Sequence, residues 1–325
     1  MEKIKFLTMA ALATAFFASC SNEDGLPQSN YPADNVVRIT TSVDGMNTRA
    51  SYGGSTAKLS SFGFCINNAG SDKYTYDNIK VTQEKGKWNP ATQMLWQNST
   101  TAVDILAYAP YQANGNVKIF GKSDYAFSVK EDQSIAEDYS SDLIVYKQTG
   151  FKPESDLNTN QAVNVAFTHL LSQLNLTIEL RDQFNQDEKK PVTSATVTDV
   201  KVNGTIISSK VDFSASPISV QVDDTQEATA ITPETTEFKA AGKTTDHAAF
   251  NYSAIVIPQT VTAGNFSISF KVDGTDYIWT STSDVNFVSG NKHQLSLLVG
   301  KDVVQVKGIT ATPWGKENIT QGETD

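Results

Sequence analysis

The chain has 325 residues, of which 39% are hydrophobic and 10% aromatic, and this apolar content excludes a disordered chain. One hydrophobic core seldom serves so long a chain, so we expect two domains. The formal net charge of -10 at pH 7 makes nucleic acid and anionic membrane surfaces unfavourable partners, because both are negatively charged.

The first 19 residues have the pattern of a lipoprotein signal peptide. Lys3 and Lys5 precede an apolar run over residues 6–17, which is too short to span a bilayer and is flanked like an export signal. The run ends in Phe17-Ala18-Ser19-Cys20, which resembles a lipobox, the motif in which small residues precede an acylated cysteine. We therefore predict lipidation of Cys20, for example with palmitate. An ordinary secretory signal with an incidental cysteine is the alternative.

The polar segment that follows predicts how the protein is displayed. Residues 21–25 are polar and acidic and resemble the export tag that sends lipoproteins of Gram-negative anaerobes to the outer face of the cell. Residues 20–35 carry Pro27 and Pro32 and are predicted to form a tether. The expected partner is the lipoprotein export machinery, and the expected location is the cell surface, lipid-anchored in the outer membrane.

Cysteine usage agrees with an anchor. The chain has two cysteines, and if Cys20 carries lipid, Cys65 in the segment SFGFCI has no partner. A buried, unreactive thiol is then the expected state of Cys65. A disulfide between the two cysteines is the alternative, and it would exclude the anchor.

From Val36 onward, apolar residues recur at every second position, a pattern typical of half-buried β-strands. Turn residues such as Gly86 and Gly115 separate the runs, and short strands between such turns predict a β-sandwich over residues 36–168. The predicted strands of this half lie in VVRITTSV, LSSFGFCI, YTYDNIKV, KWNPATQMLW, TAVDILAYAPY, YAFSVK, DLIVYK and QAVNVAF.

Residues 163–180, VNVAFTHLLSQLNLTIEL, are central to the domain organisation. Two period-two runs flank the segment from Thr168 to Gln173, which holds no Gly, Pro or Asn-Gly and so lacks the residues of a tight hairpin. We therefore interpret this segment as a crossing between two β-domains, with a second β-sandwich over residues 169–325.

Two hairpins and one loop are predicted in the second half. Val272-Asp273-Gly274-Thr275 and Val202-Asn203-Gly204-Thr205 each supply a pair of residues that tolerates positive φ, as a two-residue turn requires. Residues 227–246 are polar and are predicted to form a surface loop rather than a strand.

Few residues indicate chemistry, and no catalytic residue, metal ligand or cofactor is predicted. His169, His247 and His293 are far apart in the sequence and lack metal-ligand spacing, so we interpret them as structural. The acidic residues within 131–142 and at 223–224 lack the alternate oxygen ligands and the turning glycine of a cation loop, so they are interpreted as solvated loop charges. A carboxylate pair for glycoside hydrolysis needs only spatial proximity, and no stretch singles one out.

Three tryptophans lie in alternating segments, namely Trp88, Trp96 and Trp279. Exposed tryptophans could form a platform for sugar rings, but tryptophan within strands is more often packed in a core or at its rim. Packing is therefore the expected role, and a sugar-binding surface is the alternative.

Several short motifs, in their order along the chain, resemble the fimbrillin-like proteins, which are the type V pilins and their relatives in Gram-negative anaerobes. After the lipobox come Thr48-Arg49-Ala50, Ile105-Leu106-Ala107-Tyr108-Ala109-Pro110, Phe167-Thr168-His169-Leu170-Leu171-Ser172-Gln173-Leu174, Gly290-Asn291-Lys292-His293-Gln294-Leu295 and Pro313-Trp314-Gly315. The resemblance implies an all-β fold with two transthyretin-like Greek-key β-sandwich domains in tandem, lipoprotein export, proteolytic trimming after an arginine near the first strand, and polymerisation by strand exchange into surface fimbriae.

The chain has three arginines, and Arg49 is the one expected to be accessible to an Arg-specific protease. Arg38 would lie within the first strand and Arg181 at the end of a core strand, whereas Arg49 ends a polar, turn-like stretch. Cleavage between Arg49 and Ala50 would release the strand predicted at residues 36–43. The alternative is that this strand is permanent and Arg49 is an ordinary loop residue.

Release of the first strand would expose unpaired backbone groups and apolar surface until another strand filled the groove. We predict that the donor strand lies within residues 302–312 of a neighbouring subunit, where Val304, Val306 and Ile309 are apolar.

The predicted function is that of a non-enzymatic surface lipoprotein, acting as a fimbrial (type V pilus) subunit or a cell adhesin. Its expected partners are other fimbrial subunits, and its expected location after processing is the fimbrium. A non-polymerising surface lipoprotein with a host or glycan ligand is the alternative.

Overall fold

The computed structural model describes residues 30–43, 58–113, 118–185, 191–242 and 247–314, and almost all regular structure in these ranges is β-strand. The strands of the first half are β1 (Arg38–Val43), β2 (Ser61–Asn67), β3 (Tyr76–Glu84), β4 (Lys87–Pro90), β5 (Val103–Ala109), β6 (Tyr125–Ser128), β7 (Ile144–Phe151), β8 (Ala162–His169) and β9 (Ser172–Leu180). The all-β fold class predicted from the sequence is confirmed.

The second half continues in the same way. Its strands are β10 (Val197–Asn203), β11 (Ser208–Asp212), β12 (Ser219–Val222), β13 (Glu234–Lys239), β14 (Ala248–Val256), β15 (Gln259–Val261), β16 (Ser267–Val272), β17 (Thr275–Thr280), β18 (Val285–Phe287), β19 (Asn291–Gly300) and β20 (Val303–Pro313). The helical elements are short, namely α1 (Pro153–Asp156) and 3₁₀ turns at Asp72–Tyr74 and Asp182–Phe184. None of the helices in the described ranges has the length and hydropathy of a membrane span.

The largest sheet has seven strands in the order β1-β8-β7-β5-β2-β3-β4. Its first pair, β1 and β8, is parallel, and the remaining neighbours are antiparallel. A five-stranded sheet has the order β13-β14-β9-β19-β20, in which β9 and β19 are parallel. Strands β1 and β20 therefore each lie at the edge of a sheet.

The chain passes from one sheet to another between residues 168 and 173, where a crossing between two β-domains was predicted. Strand β8 belongs to the seven-stranded sheet and β9 to the five-stranded sheet, so these two consecutive strands do not form a hairpin. Smaller sheets complete the fold, with the orders β10-β16-β17, β12-β11-β6 and β15-β18.

Buried side chains form two hydrophobic clusters. One lies within the first half and includes Ile39, Phe62 and Phe167. The other combines most apolar side chains of the second half with several from the first, such as Tyr125 and Leu143. The two halves share this cluster because β6 pairs with β11 across them. The boundary at residue 168 and the count of two Greek-key domains stay predictions.

One predicted hairpin is confirmed and the other is wrong. Strands β16 and β17 are joined by Asp273 and Gly274, both with positive φ. Strand β10, in contrast, ends at Asn203 and pairs with β16, while the following strand pairs with β6 and β12. Gly204 has a φ of +90°, and a Cβ there would lie 2.0 Å from the Asn265 carbonyl oxygen, so this glycine permits a close backbone approach instead of a hairpin turn.

The loop predicted over residues 227–246 is also wrong in part, because it contains β13. This strand pairs with β14 at the edge of the five-stranded sheet. Alternate side chains of an edge strand face solvent, so its sequence, ETTEFK, is mostly polar and lacks the apolar alternation on which the prediction depended.

Candidate functional site

Strand β1 is an edge strand whose side chains nevertheless belong to a hydrophobic core. It pairs in parallel with β8, from Arg38 opposite Ala162 to Val43 opposite Phe167. Ile39 and Val43 are only 7% and 8% exposed, because alternate side chains of the strand point into the first-half cluster. The strand thus contributes to the core although one of its backbone edges has no neighbouring strand within the described ranges.

Strand β8 depends on β1 for most of its pairing. Only Thr168 and His169, at its end, pair with β7. From Ala162 to Phe167, β1 is therefore the one strand beside β8 within the described residues. Any process that removed β1 would leave this stretch of β8 without a neighbouring strand and would uncover its buried side chains.

The free edge of β1 faces a groove. Near its start, the Val37 amide donates to the Met94 carbonyl at 3.0 Å, and the Trp96 amide donates to the Asn35 carbonyl at 2.8 Å. Backbone groups of alternate residues point to the same side of a strand, so those of Ile39 point away from β8 as well. The groove there has a volume of about 890 Å³ and lies between β1 and β4.

An ion pair fixes the start of β1. The Arg38 guanidinium donates to both carboxylate oxygens of Asp34, at 3.0 and 2.6 Å. This hydrogen bonding, together with the Val36 amide that also donates to the carboxylate, holds the pKa of Asp34 below its usual value. Both partners are well exposed to solvent, so the pair orients the strand entry more than it stabilises the fold.

Strand β20 is the other edge strand of interest, and its side chains are exposed. It pairs in antiparallel fashion with β19, from Gly300 opposite Val303 to Asn291 opposite Pro313. Val306 and Ile309 are 46% and 43% exposed. No side chain of β20 is buried, so this strand covers little of the core of its own sheet.

A β-bulge places the three apolar residues predicted for the donor strand on one face. Val304 lies opposite Val299, and the pairing skips Lys307 between Val306 and Gly308. Directly opposed residues share a face, and the partners of all three apolar residues on β19 are buried, as the pairs Val304–Val299, Val306–Leu297 and Ile309–Leu295 show. The row therefore lies on the side of the sheet that faces the core. Val304 packs against the core, whereas Val306 and Ile309 remain exposed to solvent.

Polar contacts tie the opposite side of β20 to the sheet. The Lys307 ammonium donates to both carboxylate oxygens of Glu179 on β9, at 3.0 and 2.9 Å. Arg181 donates from its guanidinium to the side-chain carbonyl of Gln305. Such exposed contacts are weak in water, so backbone pairing to β19 is the main attachment along the strand.

The end of this edge strand enters a buried junction between the two halves. The Trp314 ring stacks on the His169 ring with centroids 3.8 Å apart and planes 4° apart. The Trp314 amide donates to the Gly290 carbonyl at 2.7 Å. His169 Nδ1 lies 2.9 Å from a carboxylate oxygen of Asp142, and both side chains are fully buried.

Lys292 completes the junction. Its ammonium lies over the Trp314 ring, 5.8 Å from the centroid, a cation–π geometry. Burial lowers the pKa of Lys292, whereas the Asp142 carboxylate opposes that effect. Three of the short motifs noted in the sequence, around His169, Gly290 and Trp314, therefore meet in one place.

A sequence model of the fimbrillin-like family matches residues 48–314. The chain belongs to the fimbrillin-like family. The match spans both halves of the fold and all three motifs of the junction. No curated protein sequence matches the chain at a significant level.

Solved structures share the fold of this fimbrillin-like chain. A candidate cell adhesion protein of Bacteroides ovatus has a TM-score of 0.60 at 12% identity, covering 87% of this chain and 99% of its own. A candidate cell adhesion protein of Bacteroides uniformis has a TM-score of 0.54 at 18% identity, with the same coverages. A fimbrial protein of Bacteroides vulgatus has a TM-score of 0.52 at 16% identity, covering 85% of this chain and 99% of its own. At these identities the likeness establishes a common fold.

Three residues predicted as processing sites lie outside the described residues. Cys20, Arg49 and Ala50 fall in segments that the structure does not describe, so lipidation and cleavage stay predictions. The predicted donor residues Val304, Val306 and Ile309 lie on β20, and the structure does not bring this strand next to β1 in one chain.

Cys65 and the three tryptophans named in the sequence analysis are buried in the fold or packed against other side chains. Cys65 is a buried free thiol. Its burial and, to a smaller extent, the charge of Asp77 raise its pKa, as expected for an unreactive cysteine.

The three tryptophans make packing contacts. Trp96 is buried, Trp88 packs against Phe62 with ring centroids 5.0 Å apart, and Trp279 packs against Phe266 with ring centroids 6.2 Å apart. All three tryptophans thus make the packing contacts expected of them, and Trp88 also lines the groove beside β1. Among the described residues, no cluster of three or more His, Cys, Asp or Glu side chains could hold a metal ion.

One interpretation of a candidate residue was wrong. Asp142 is not a solvated loop charge, because its side chain is fully buried against His169. The sequence offered a weak signal for this contact, since Asp142 stands between Ser141 and the apolar segment from Leu143 to Tyr146. Pairing it with a histidine 27 residues away required the fold.

Proposed function

We propose that this chain is a surface-displayed fimbrial subunit or adhesin, a non-enzymatic structural protein that assembles with other fimbrial subunits by strand exchange. Family membership supports this proposal, as does the fold that it shares with a fimbrial protein and with candidate cell adhesion proteins. The observation that carries the exchange step is the pairing of β8, which from Ala162 to Phe167 has β1 as its one neighbouring strand among the described residues.

Loss of β1 would create a site that demands a replacement strand. The side chains of Val163, Val165 and Phe167 on β8 are fully buried, and uncovering apolar side chains costs about 1.5 to 3 kcal/mol each. The backbone groups of β8 that now bond to β1 would also lose their partners, at about 1 to 3 kcal/mol for each group left buried and unpaired. A strand of suitable pattern from a neighbouring subunit would restore both terms.

Strand β20 is the donor that we propose. In its apolar row, Val306 and Ile309 are well exposed and Val304 is partly buried. Inserting this row into a neighbour's groove would therefore bury apolar surface that is now exposed. Its departure would remove no buried side chain of its own, although β19 would lose its backbone partner. Transfer of the strand would thus bury apolar surface on both subunits. It would fill the groove of the acceptor and cover the exposed apolar side chains of the donor strand.

Processing would couple assembly to release from the membrane. In this proposal, the lipoprotein export machinery delivers a chain acylated at Cys20 to the outer membrane, and an Arg-specific protease cleaves between Arg49 and Ala50. Since Cys20 and β1 both precede the cut in the sequence, the same cleavage separates the subunit from its anchor and opens the groove beside β8. The processed subunit then enters the fimbrium.

An Arg-specific protease tests the exchange step directly. Treatment of the purified protein is expected to produce a new N-terminus at Ala50, followed by SDS-resistant ladders, because strand-exchanged subunits dissociate slowly. Arg49→Lys is a matched control that keeps the charge but removes the cleavage site. A chain that ends before Asp302 should be cut but should not form ladders. If the cut wild-type protein stays monomeric, the strand-exchange proposal is wrong.

Labelled palmitate tests the anchor separately. We expect the wild-type chain to incorporate the label and to remain with the cell envelope, whereas Cys20→Ala should do neither. Equal labelling of the two proteins would overturn the lipoprotein part of the proposal and leave the exchange step untouched.

The groove beside β1 favours a second candidate function, that of a non-polymerising glycan-binding lipoprotein. This groove is lined by Trp88 and by the amide side chains of Gln83, Asn89 and Gln93, which can donate to and accept from sugar hydroxyl groups. Gln83→Ala should abolish retention on one polysaccharide, without loss of stability, if this candidate is correct. Unchanged retention across a polysaccharide panel would reject it.

A further inference from the structure

Burial is distributed unevenly over the segment that contains β20. Every residue from Val303 to Pro313 is partly or well exposed, whereas Trp314, the next residue, is only 7% exposed. A strand that contributes so little to its own core therefore ends in a large side chain that is inserted into the junction of the two halves. The buried Trp314 side chain is therefore a candidate anchor for the exposed strand before it.

The junction holds Trp314 by several independent contacts. His169 stacks on its ring at 3.8 Å, and Asp142 in turn fixes the imidazole through a hydrogen bond of 2.9 Å. The Trp314 amide is bonded to the Gly290 carbonyl. Buried aromatic side chains contribute strongly to packing, and stacking on a second ring adds to that contribution.

The loops around the ring are themselves fixed. The Gly290 amide donates to the Leu171 carbonyl at 2.9 Å, and the hydroxyl groups of Ser289 and Ser172 donate to the carbonyls of Leu170 and Val288, at 2.6 and 2.7 Å. The receptacle of Trp314 is thus built from the crossing between the halves and from the turn before β19. Neither part needs β20 for its own hydrogen bonds.

We infer that Trp314 and His169 form a latch that keeps β20 on its own sheet and so controls when the strand becomes available for exchange. The inference rests on the proposed function, in which β20 is the donor. Peeling of an edge strand begins at a free end. At its Val303 end, β20 is joined to β19 by the turn of Lys301 and Asp302, with Gly300 opposite Val303. Peeling must therefore begin at the Trp314 end, which the latch holds.

The latch explains how a subunit can carry an exposed donor strand without exchanging it at once. Exposed apolar edge strands are prone to pair with other chains. A single buried anchor at the end of the strand slows its release. The groove beside β8 of a cleaved neighbour then binds the released strand. Release therefore requires the ring to leave the junction.

Hydrogen exchange on the intact chain tests the latch without any polymerisation. In Trp314→Ala, we expect the β20 amides bonded to β19 to exchange about tenfold faster or more, because the anchor no longer limits local opening. Amides of β9 and β14 should keep their protection. Trp314→Phe retains an aromatic ring for stacking on His169 and should give an intermediate rate, which guards against a variant that simply fails to fold.

Trp96 offers a matched control in the other hydrophobic cluster. It is also buried and stacked, on Phe151, with centroids 5.6 Å apart and planes 12° apart. Trp96→Ala should weaken protection in the seven-stranded sheet and leave β20 unchanged. If Trp314→Ala leaves the β20 rates as in wild type, or lowers protection uniformly over the whole chain, the latch is rejected.

The link to assembly has its own readout. After Arg-specific cleavage, Trp314→Ala should form SDS-resistant ladders several times faster than the wild type. Faster exchange of β20 without faster ladders would overturn the regulatory role. If cleaved wild-type protein forms no ladders at all, the proposed function fails, and the exchange rates still decide whether Trp314 anchors the strand.

Discussion

Strands β1 and β20 both lie at sheet edges, yet they differ in what they bury. Ile39 and Val43 of β1 are at most 8% exposed, whereas Val306 and Ile309 of β20 are more than 40% exposed. The position of a strand in a sheet therefore does not decide its contribution to stability. Strand β1 supplies buried side chains to a core, whereas no side chain of β20 is buried.

Removal of either strand should give the largest effect. A chain of residues 50–325 loses the burial of Val37, Ile39 and Val43, at about 5 to 9 kcal/mol in total from their side chains alone. That loss is comparable with the whole stability of a domain. A chain that ends at Lys301 loses the burial of Trp314, at about 3 to 5 kcal/mol, and the backbone pairing of β19 with β20. Urea unfolding of both chains checks this order, and equal losses would remove the distinction between the two strands.

Truncation of one side chain in each strand measures the difference in burial between β1 and β20. Ile39→Ala should lower the free energy of unfolding by about 2 to 5 kcal/mol, because a buried side chain leaves a cavity. Ile309→Ala should cost less than about 1 kcal/mol, because its side chain is half exposed. The same urea titration measures both variants. An Ile309→Ala loss as large as that of Ile39→Ala would show that β20 is a core strand after all.

The salt bridge of β20 should have a smaller effect. Lys307→Ala should cost at most about 1 kcal/mol, and the cost should shrink as salt is added. Lys271→Ala is a matched control, since its ammonium pairs with Asp276 at a distance of 2.6 Å and both residues belong to a different sheet. Hydrogen exchange of β20 should be somewhat faster in the first variant only. A salt-independent loss would point to a packing role for the Lys307 side chain.

The smallest expected effect is a pH dependence at the start of β1. The pKa of Asp34 is lowered in the folded protein by the Arg38 hydrogen bonds, so the stabilisation is fully present above the ordinary pKa of 3.8 and is lost as pH falls through the lowered value. Acidification below about pH 4 should weaken the protection of the first β1 amides. Asp34→Asn should remove this dependence, and a dependence that persists in the variant would assign it to another carboxyl group.

Much of the fold could be predicted from local pattern. Alternation predicted β1, β8 and β9, and the absence of turn residues between Thr168 and Gln173 predicted that β8 and β9 belong to different sheets. The edge strand β13 was missed because strands with one solvent-facing side carry polar residues such as Thr235 and Glu237. The false hairpin at Asn203-Gly204 arose because Asn-Gly suits a loop that passes close to Asn265 as well as a tight turn.

The candidate site was less predictable, since it depends on register and on distant contacts. Val304, Val306 and Ile309 were chosen for their apolar character, but their spacing is irregular for a strand, and only the bulge at Lys307 places them on one face. The stack of His169 and Trp314 joins residues far apart in the sequence. The separate motifs were visible, whereas their meeting at one junction follows from the parallel pairing of β9 with β19.

Cross-linking between subunits tests most directly whether β20 takes the place of β1. One subunit would carry Gln305→Cys in its donor strand and the other Ala166→Cys on the exposed face of β8, with Cys20→Ala in both and a short bismaleimide as linker. After Arg-specific cleavage, we expect a cross-linked dimer that is absent when the acceptor carries Arg49→Lys. A dimer formed equally well by the uncleaved acceptor, or no dimer from cleaved protein, would contradict the exchange of β1 for β20.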